Sequence, residues 1–289
     1  MPCAEGEILI GIRRGTAEGS MDMRRLNNMT KLATVAIATA AIVGLATSAS
    51  AGDKRHVKIG TEGAYPPFNA IDSNGQLVGF DIDIAKALCD AANFECEFVV
   101  QDWDGIIPGL IAKKYDAIVA SMSITDQRKE VVDFTEKYYQ TPARFVAAKG
   151  AGFDISPDGL AGKVVGVQRA TTHERFLRAK FPKAEVRTYA TQDEANADLV
   201  SGRVDLVMAD SVALLDGFLK TDPGKDFEFV GPGYNDPKIH GEGTGIAIRK
   251  GEDDLRQAFN AAIDKIRADG TYKKINAKYF DFDVYGPTS

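Results

Sequence analysis

Two segments about ninety residues apart repeat one another, and that echo narrows the possible folds more than any other feature of the chain. LIAKKYDAIVAS (110–121) lies over LVSGRVDLVMAD (199–210), matching Leu110 with Leu199, Asp116 with Asp205 and Ala120 with Ala209, and aligning Ser121 with Asp210. Each copy reads as a helix end, a basic turn and an apolar strand that stops on a polar residue. The surroundings keep the same rhythm. VKIG (57–60), CEFVV (96–100), DAIVAS (116–121), KVVGV (163–167), EVRTY (185–189), DLVMA (205–209) and GTGIAIRK (243–250) read as strands. Between and after them, FDIDIAKALCDAA (80–92) sets Ile84, Ala87, Leu88 and Ala91 on one helical face, and DGIIPGLIAKK (104–114) is mostly helix. TDQRKEVVDF is predicted to open another helix, with further helices from about Thr172, near 192–201, and over DLRQAFNAAIDKIRADG and YKKINAKYF. Apolar strands alternating with amphipathic helices predict an α/β chain with largely parallel sheets. The repeat predicts two such lobes. Ligands of open parallel sheets bind beyond the carboxyl ends of the strands, so Ser121 and Asp210 are expected to face a shared cleft.

The N-terminal region reads as an address rather than as structure. Arg24, Arg25 and Lys31 precede an apolar run from Leu32 to Ala46, followed by Ala49-Ser50-Ala51. That order of basic, short apolar and small residues predicts a secretory signal peptide cleaved after Ala51. Residues 1–20 do not fit it, and Met21, Met23 or Met29 make better starts. Residues 52–289 carry 30 Lys/Arg against 37 Asp/Glu, a net of −7. An acidic balance argues against nucleic acid as a partner. No cysteine stands at the cleavage site, so no lipid anchor is expected there.

Cys89 and Cys96, in ALCDAANFEC, remain after cleavage. Export to an oxidising compartment and an even count predict a disulfide. Closing so short a loop contributes roughly 2–3 kcal/mol in the chain-entropy account. A metal site is the alternative, but no His or further Cys is nearby.

Chemistry-bearing groups gather at strand ends. TEGAYPPF (61–68) follows the first strand, and its adjacent prolines stop a central strand or a helix interior there. Phe68 reads as core, whereas Glu62 and Tyr65 hang from a stiffened loop. Ser123–Asp126 and Thr171–Glu174 both fit the capping-box pattern, a hydroxyl three residues before an acid. Free amides at a helix start suit an anion. Arg128 strengthens the first case, because a cation in a first helical turn opposes the dipole and a carboxylate partner would explain it. Trp103, the only tryptophan, sits in QDWDG as either a core cap or an aromatic platform. His56 and His240 read as surface residues, while His173 falls in the second capping box and is a candidate to face the cleft. No HExxH, nucleophile elbow or phosphate loop occurs, and GEGTG (241–245) is a lone glycine pattern.

GTEGAYPPF, VGFDIDIAKALC, IIPGLIAKKYDAIVASMSITDQRKEVVDF, GTGIAIRK and ADGTYKKINAKYFDFDVYG together resemble the periplasmic solute-binding proteins of polar amino-acid ABC importers. The resemblance covers about 56–286 and is nearest to the histidine and lysine/arginine/ornithine-binding branch, whose cysteine spacing also matches. It implies the type II periplasmic binding protein fold, with two lobes, each a mainly parallel sheet flanked by helices, joined by a two-segment hinge. Lobe 1 is then 52–139 with 244–289, lobe 2 is 144–236, and the hinge is 140–143 with 237–243. It also implies a ligand site. The α-carboxylate would sit on Arg128 and the amides near Ser123 and Thr172, and the α-ammonium on Asp210 and the backbone oxygen of Ser121. Tyr65 and Trp103 would sandwich the side chain, with Glu62 on its distal cation. Ala120, Met122, Gln168, Thr171 and His173 complete the expected set.

This chain departs from the branch at several of these positions. Glu62 replaces the usual Asp, Trp103 a Phe or Leu, Ala120 a Ser, His173 a Gln, and Gln168 an apolar residue. Glu62 with Trp103 is similar to the octopine- and nopaline-binding relatives. The resemblance therefore implies a non-enzymatic periplasmic receptor, monomeric and without cofactor or metal. It would capture a cationic amino acid (arginine first, then lysine, ornithine or histidine) for an inner-membrane ABC-type permease. Its alternatives are an opine receptor of the same class, a dehydratase on the same fold, or a sensor domain.

Overall fold

The computed structural model describes residues 54–286. The predicted signal segment, its cleavage site after Ala51 and the upstream tail lie outside the described residues. Strand β1 (Arg55–Thr61) is followed by short strands β2 (Ala64–Tyr65), β3 (Asn69–Ile71) and β4 (Leu77–Val78), and by helix α1 (Phe80–Ala91). Next come β5 (Phe94–Val100), α2 (Trp103–Ile111), β6 (Ala117–Ile118), the single turn α3 (Asp126–Lys129) and β7 (Val132–Tyr139). The middle of the chain runs β8 (Ala143–Ala148), β9 (Val164–Gln168), α4 (Thr172–Lys180), β10 (Glu185–Tyr189), α5 (Gln192–Val200) and β11 (Leu206–Asp210). Helix α6 (Ser211–Leu214) continues into a π-helical turn (Leu215–Leu219) before β12 (Phe227–Tyr234). The chain then forms α7 (Pro237–His240), β13 (Thr244–Arg249), α8 (Asp253–Ala268) and α9 (Thr271–Tyr279).

Two five-stranded sheets, in the orders β5-β1-β6-β13-β7 and β10-β9-β11-β8-β12, carry most of these elements, and β2-β3-β4 form a small antiparallel sheet of their own. The sequence echo maps onto the two five-stranded sheets directly, because β6 and β11 occupy the third place of each. Within the first sheet β1 runs parallel to β5 and β6, while β13 is antiparallel to β6 and β7. In the second, β9 is parallel to β10 and β11, while β8 is antiparallel to β11 and β12. Each sheet is therefore mainly parallel, as the sequence predicted, but mixed: four of its five strands run one way and one is reversed. The reversed strands, β8 and β13, come directly out of the opposite sheet. They escape the direction that a βαβ crossover imposes on its strands. The chain passes between the sheets twice, at 140–142 and at 235–243.

Each five-stranded sheet is covered by helices on both faces. One cluster packs Ile59, Ile84, Leu88, Phe259 and Ile263 under α1 and α8, and another packs Ile106, Leu110 and Tyr115 of the α2 side against Ile118 and Ala247. In the second sheet Phe176, Leu177 and Phe181 meet Val165 and Val167, while Ala195, Leu199 and Leu214 meet Val207 from the other side. Burying each large apolar side chain contributes about 1.5–3 kcal/mol. Phe68 is core as predicted, stacked on Tyr139 at 4.6 Å between centroids. The disulfide Cys89–Cys96 is formed and ties the end of α1 to β5.

The predicted helix over TDQRKEVVDF is a correction. Only Asp126–Lys129 is helical, and Val132–Tyr139 is β7, with Val132 and Phe134 buried on one face. Its β-branched and aromatic residues favour the pleated, half-buried setting over a helix. The cap also differs. Thr125, not Ser123, caps α3 by accepting the Arg128 amide at 3.3 Å.

Candidate functional site

The carboxyl ends of β1, β6, β9 and β11 converge on one pocket. From the first sheet it receives Glu62, Tyr65, Trp103, Ala120, Ser121, Ser123 and Arg128. The second sheet brings Gln168, Thr171, Thr172, His173 and Asp210. The alignment of Ser121 with Asp210 is thus realised as two groups on opposite sides of the same cavity. Met122 is the one predicted site residue that does not line it. Its side chain is fully buried with Ile106 and Phe134, turned into the core under α2 instead of towards the cavity. Ser121 and Ser123 take the pocket side.

Two acids are sunk into this pocket. Glu62, directly after β1, is 7% exposed and accepts the Gln168 amide Nε2 at 2.6 Å. Burial pushes its carboxyl up to about 7 against that hydrogen bond, with Asp102, Asp104 and Asp193 adding repulsion. Asp210 ends β11 and is 8% exposed. Its Oδ1 caps α6 by accepting the Val212 amide at 2.8 Å, and its Oδ2 accepts the Thr141 hydroxyl. Here burial again dominates and raises the carboxyl to about 6, opposed by Thr141 and the helix amides. The Tyr65 hydroxyl accepts the Asp210 amide at 3.2 Å, so Tyr65 bridges the two sheets beside the acid.

The pocket holds one buried cation. Arg128 donates to the Ser123 carbonyl at 3.0 Å and to the Ala170 carbonyl at 3.5 Å, and its guanidinium lies 5.2 Å from the Trp103 ring centroid. No carboxylate of the described residues pairs with it. Burial, then repulsion from Arg175, lowers its proton affinity to about 10. Trp103 is 9% exposed, and its Nε1 donates to the Ala170 carbonyl at 3.4 Å, so it both caps the core under α2 and faces the pocket. Thr171 caps α4 by accepting the Glu174 amide at 3.2 Å, as the sequence predicted. That places Thr172 and His173 in the first turn, whose amides have no partner within the helix. His173 is held neutral by burial, with His240 and Arg128 adding to the effect, and its proton affinity falls to about 3.

The family model for bacterial extracellular solute-binding proteins, family 3, matches residues 57–282. This chain belongs to that family. An L-arginine-binding protein of Pseudomonas aeruginosa is 52% identical over 260 residues, covering 89% of this chain and 99% of the relative. A histidine-binding periplasmic protein of Escherichia coli K12 is 46% identical over 243 residues, covering 83% of this chain and 94% of the relative. Among solved structures, a Salmonella typhimurium periplasmic binding protein described for high arginine specificity is 37% identical with a TM-score of 0.73. It covers 78% of this chain and 99% of that one. The close relatives are substrate-binding transport proteins, not enzymes.

Sequence reasoning missed several pocket residues of this solute-binding protein. Tyr139, Gln140, Thr141, Ala143, Asn235, Gly243 and Thr244 all line the cavity, and all belong to the two crossings or their flanking strand ends. Polar residues in a connecting segment look like surface until the topology shows that the segment runs behind the pocket. His240 corrects a prediction. Read as surface, it instead packs its ring 4.9 Å from Phe176 and 5.9 Å from His173 and lines the pocket. The short α7 turns it inward, a placement with no local sequence signal. His56 is exposed as predicted, beside Glu95.

Proposed function

We propose that this protein is a periplasmic receptor for a basic amino acid, arginine foremost, that hands its ligand to an inner-membrane ABC permease. One observation carries the reading: two buried carboxyls and one buried guanidinium without a carboxylate partner share a single cavity. That pattern is the charge complement of a molecule with two cations and one anion. A basic amino acid has this make-up. Its α-carboxylate pairs with Arg128 and the first-turn amides at Thr172 and His173. Its α-ammonium goes to Asp210 and the Ser121 carbonyl. The side chain lies between Tyr65 and Trp103, and the distal cation meets Glu62. Arginine is favoured because a planar guanidinium both stacks on aromatic faces and presents paired donors to a carboxylate.

In this reading the lobes, within the described residues, are 54–139 with 244–286 and 144–236, hinged at 140–143 and 237–243. A ligand held by Arg128 on one lobe and Asp210 on the other favours the closed form by population shift. The relatives named above support the periplasmic setting, as does the signal-like leader that ends at Ala51. A calorimetric panel of arginine, lysine, ornithine, histidine, octopine and nopaline tests the reading. Tightest binding of arginine or another basic amino acid is expected, and preference for an opine overturns it.

A further inference from the structure

Behind the pocket wall lies a carboxylate that no proposed ligand atom touches. Asp81, in the first turn of α1, is 0% exposed and has no cationic partner among the described residues. Its Oδ1 accepts the Tyr138 hydroxyl at 2.8 Å, and its Oδ2 accepts the Ser121 hydroxyl and the Asn69 amide nitrogen, each at 2.9 Å. Asn69 is fixed from its other end, where Oδ1 accepts the Gly63 amide at 2.9 Å. One acid therefore ties together the loop that carries Glu62, the turn that carries Ser121, and β7 as it approaches the first crossing.

Two features ask for a reason. An uncompensated buried carboxylate is costly, and three neutral donors offset only part of that cost. Ser121, moreover, sits at φ 53°, a left-handed conformation that few non-glycine residues adopt. The hydrogen bond from its hydroxyl to Asp81 holds the turn in place. Burial raises the Asp81 carboxyl against the hydrogen bonds from Tyr138, Asn69 and Ser121, and in its ionised form it adds a small repulsion to that which raises Asp210.

We infer that Asp81 is a positioning and specificity residue for the ammonium end of the ligand. It locks the Ser121 turn at the pocket wall and adds a negative potential that only a ligand with a free α-ammonium exploits. This rests on reading the pocket as a basic amino-acid site. The test compares Asp81→Asn with the wild-type protein in calorimetric titrations of arginine and of its des-amino analogue, 5-guanidinopentanoate. Arginine affinity is expected to fall by about tenfold, while the analogue keeps its wild-type affinity. Equal weakening of both ligands marks Asp81 as merely structural and overturns the inference, and so does an unchanged arginine affinity. If Asp81→Asn does not fold, Ser121→Ala removes only the hydroxyl tether; it should show the same split to a smaller degree, and loss of both or neither overturns the inference. A wild-type chain that binds neither arginine nor lysine fails the reading of the pocket instead, which separates the two failures.

Discussion

Glu62 and Gln168 are 106 positions apart in sequence and 2.6 Å apart in space, joined across the pocket from the first sheet to the second. Gln168 is itself anchored, because the same nitrogen donates to the Ala190 carbonyl at 3.0 Å. The bond holds a carboxyl in a dry site where it keeps its proton up to about 7. A desolvated acid of this kind has more to gain from an arriving cation than a hydrated one does. In the proposed reading, Glu62 answers to positive charge rather than to shape.

Glu62→Gln follows from that placement. A hydrogen bond to a charged group contributes about 1.5–3 kcal/mol, so arginine and lysine should lose roughly ten- to hundredfold in affinity. Glutamine, which brings no distal cation, should bind the variant about as well as the wild type. Calorimetry on both ligands decides the matter, and an equal loss for both removes Glu62 from charge reading.

Arg128→Ala should abolish ligand-induced stabilisation. Arginine at a hundred times its dissociation constant adds about 2.7 kcal/mol to the wild-type protein, a shift readily seen in thermal unfolding. The variant should show none at that concentration. Its ligand-free unfolding temperature should hold, because the side chain removed is a buried cation without a carboxylate partner. A variant that still gains stability from arginine takes Arg128 out of the carboxylate seat.

Most of this site was legible because its residues stand at strand ends. The echo between 110–121 and 199–210 located Ser121 and Asp210, and the capping pattern located Thr171. Legibility failed where structure depends on pairing between distant segments. The helix formers lie in the preceding TDQRKE, and the pairing of Val132–Tyr139 with β13, more than a hundred positions later, makes the rest of that stretch a strand. His240 and Thr141 enter the pocket on crossing segments whose path no local pattern reveals. Met122 failed for a finer reason. A family segment quoted whole does not say which alternate side chains turn inward.

The two raised carboxyls give binding a pH dependence. Burial lifts Glu62 from 4.5 to about 7 and Asp210 from 3.8 to about 6, so the ligand-free fold holds protons that the unfolded chain would have released. Stability from these groups is present at low pH and is lost as pH rises towards 7. A doubly cationic ligand reverses the preference and expels the protons. Arginine affinity should therefore rise between about pH 5 and 8, with proton release near neutrality seen as a buffer-dependent calorimetric heat. In Glu62→Gln the component centred near 7 should vanish. A flat profile in the wild type means that both acids are hydrated before the ligand arrives.

Closure should also respond to salt. Arg169, just after β9, pairs with Asp104 on α2, and the two side chains are 45% and 40% exposed. Beside them the Ala170 carbonyl accepts from Trp103 and Arg128, so this short turn carries three links between the halves of the protein. The exposed pair contributes only about 0–1 kcal/mol, and dissolved ions screen it. Arg169→Ala should accordingly speed arginine release by at most about fivefold at low ionic strength. The difference should disappear near 0.5 M salt, where about 4–5 Å of screening length leaves an exposed pair little attraction. Stopped-flow dissociation at two salt concentrations measures both effects. Faster release that persists in high salt means that the turn acts through its backbone contacts to Trp103 and Arg128, and that the ion pair is incidental.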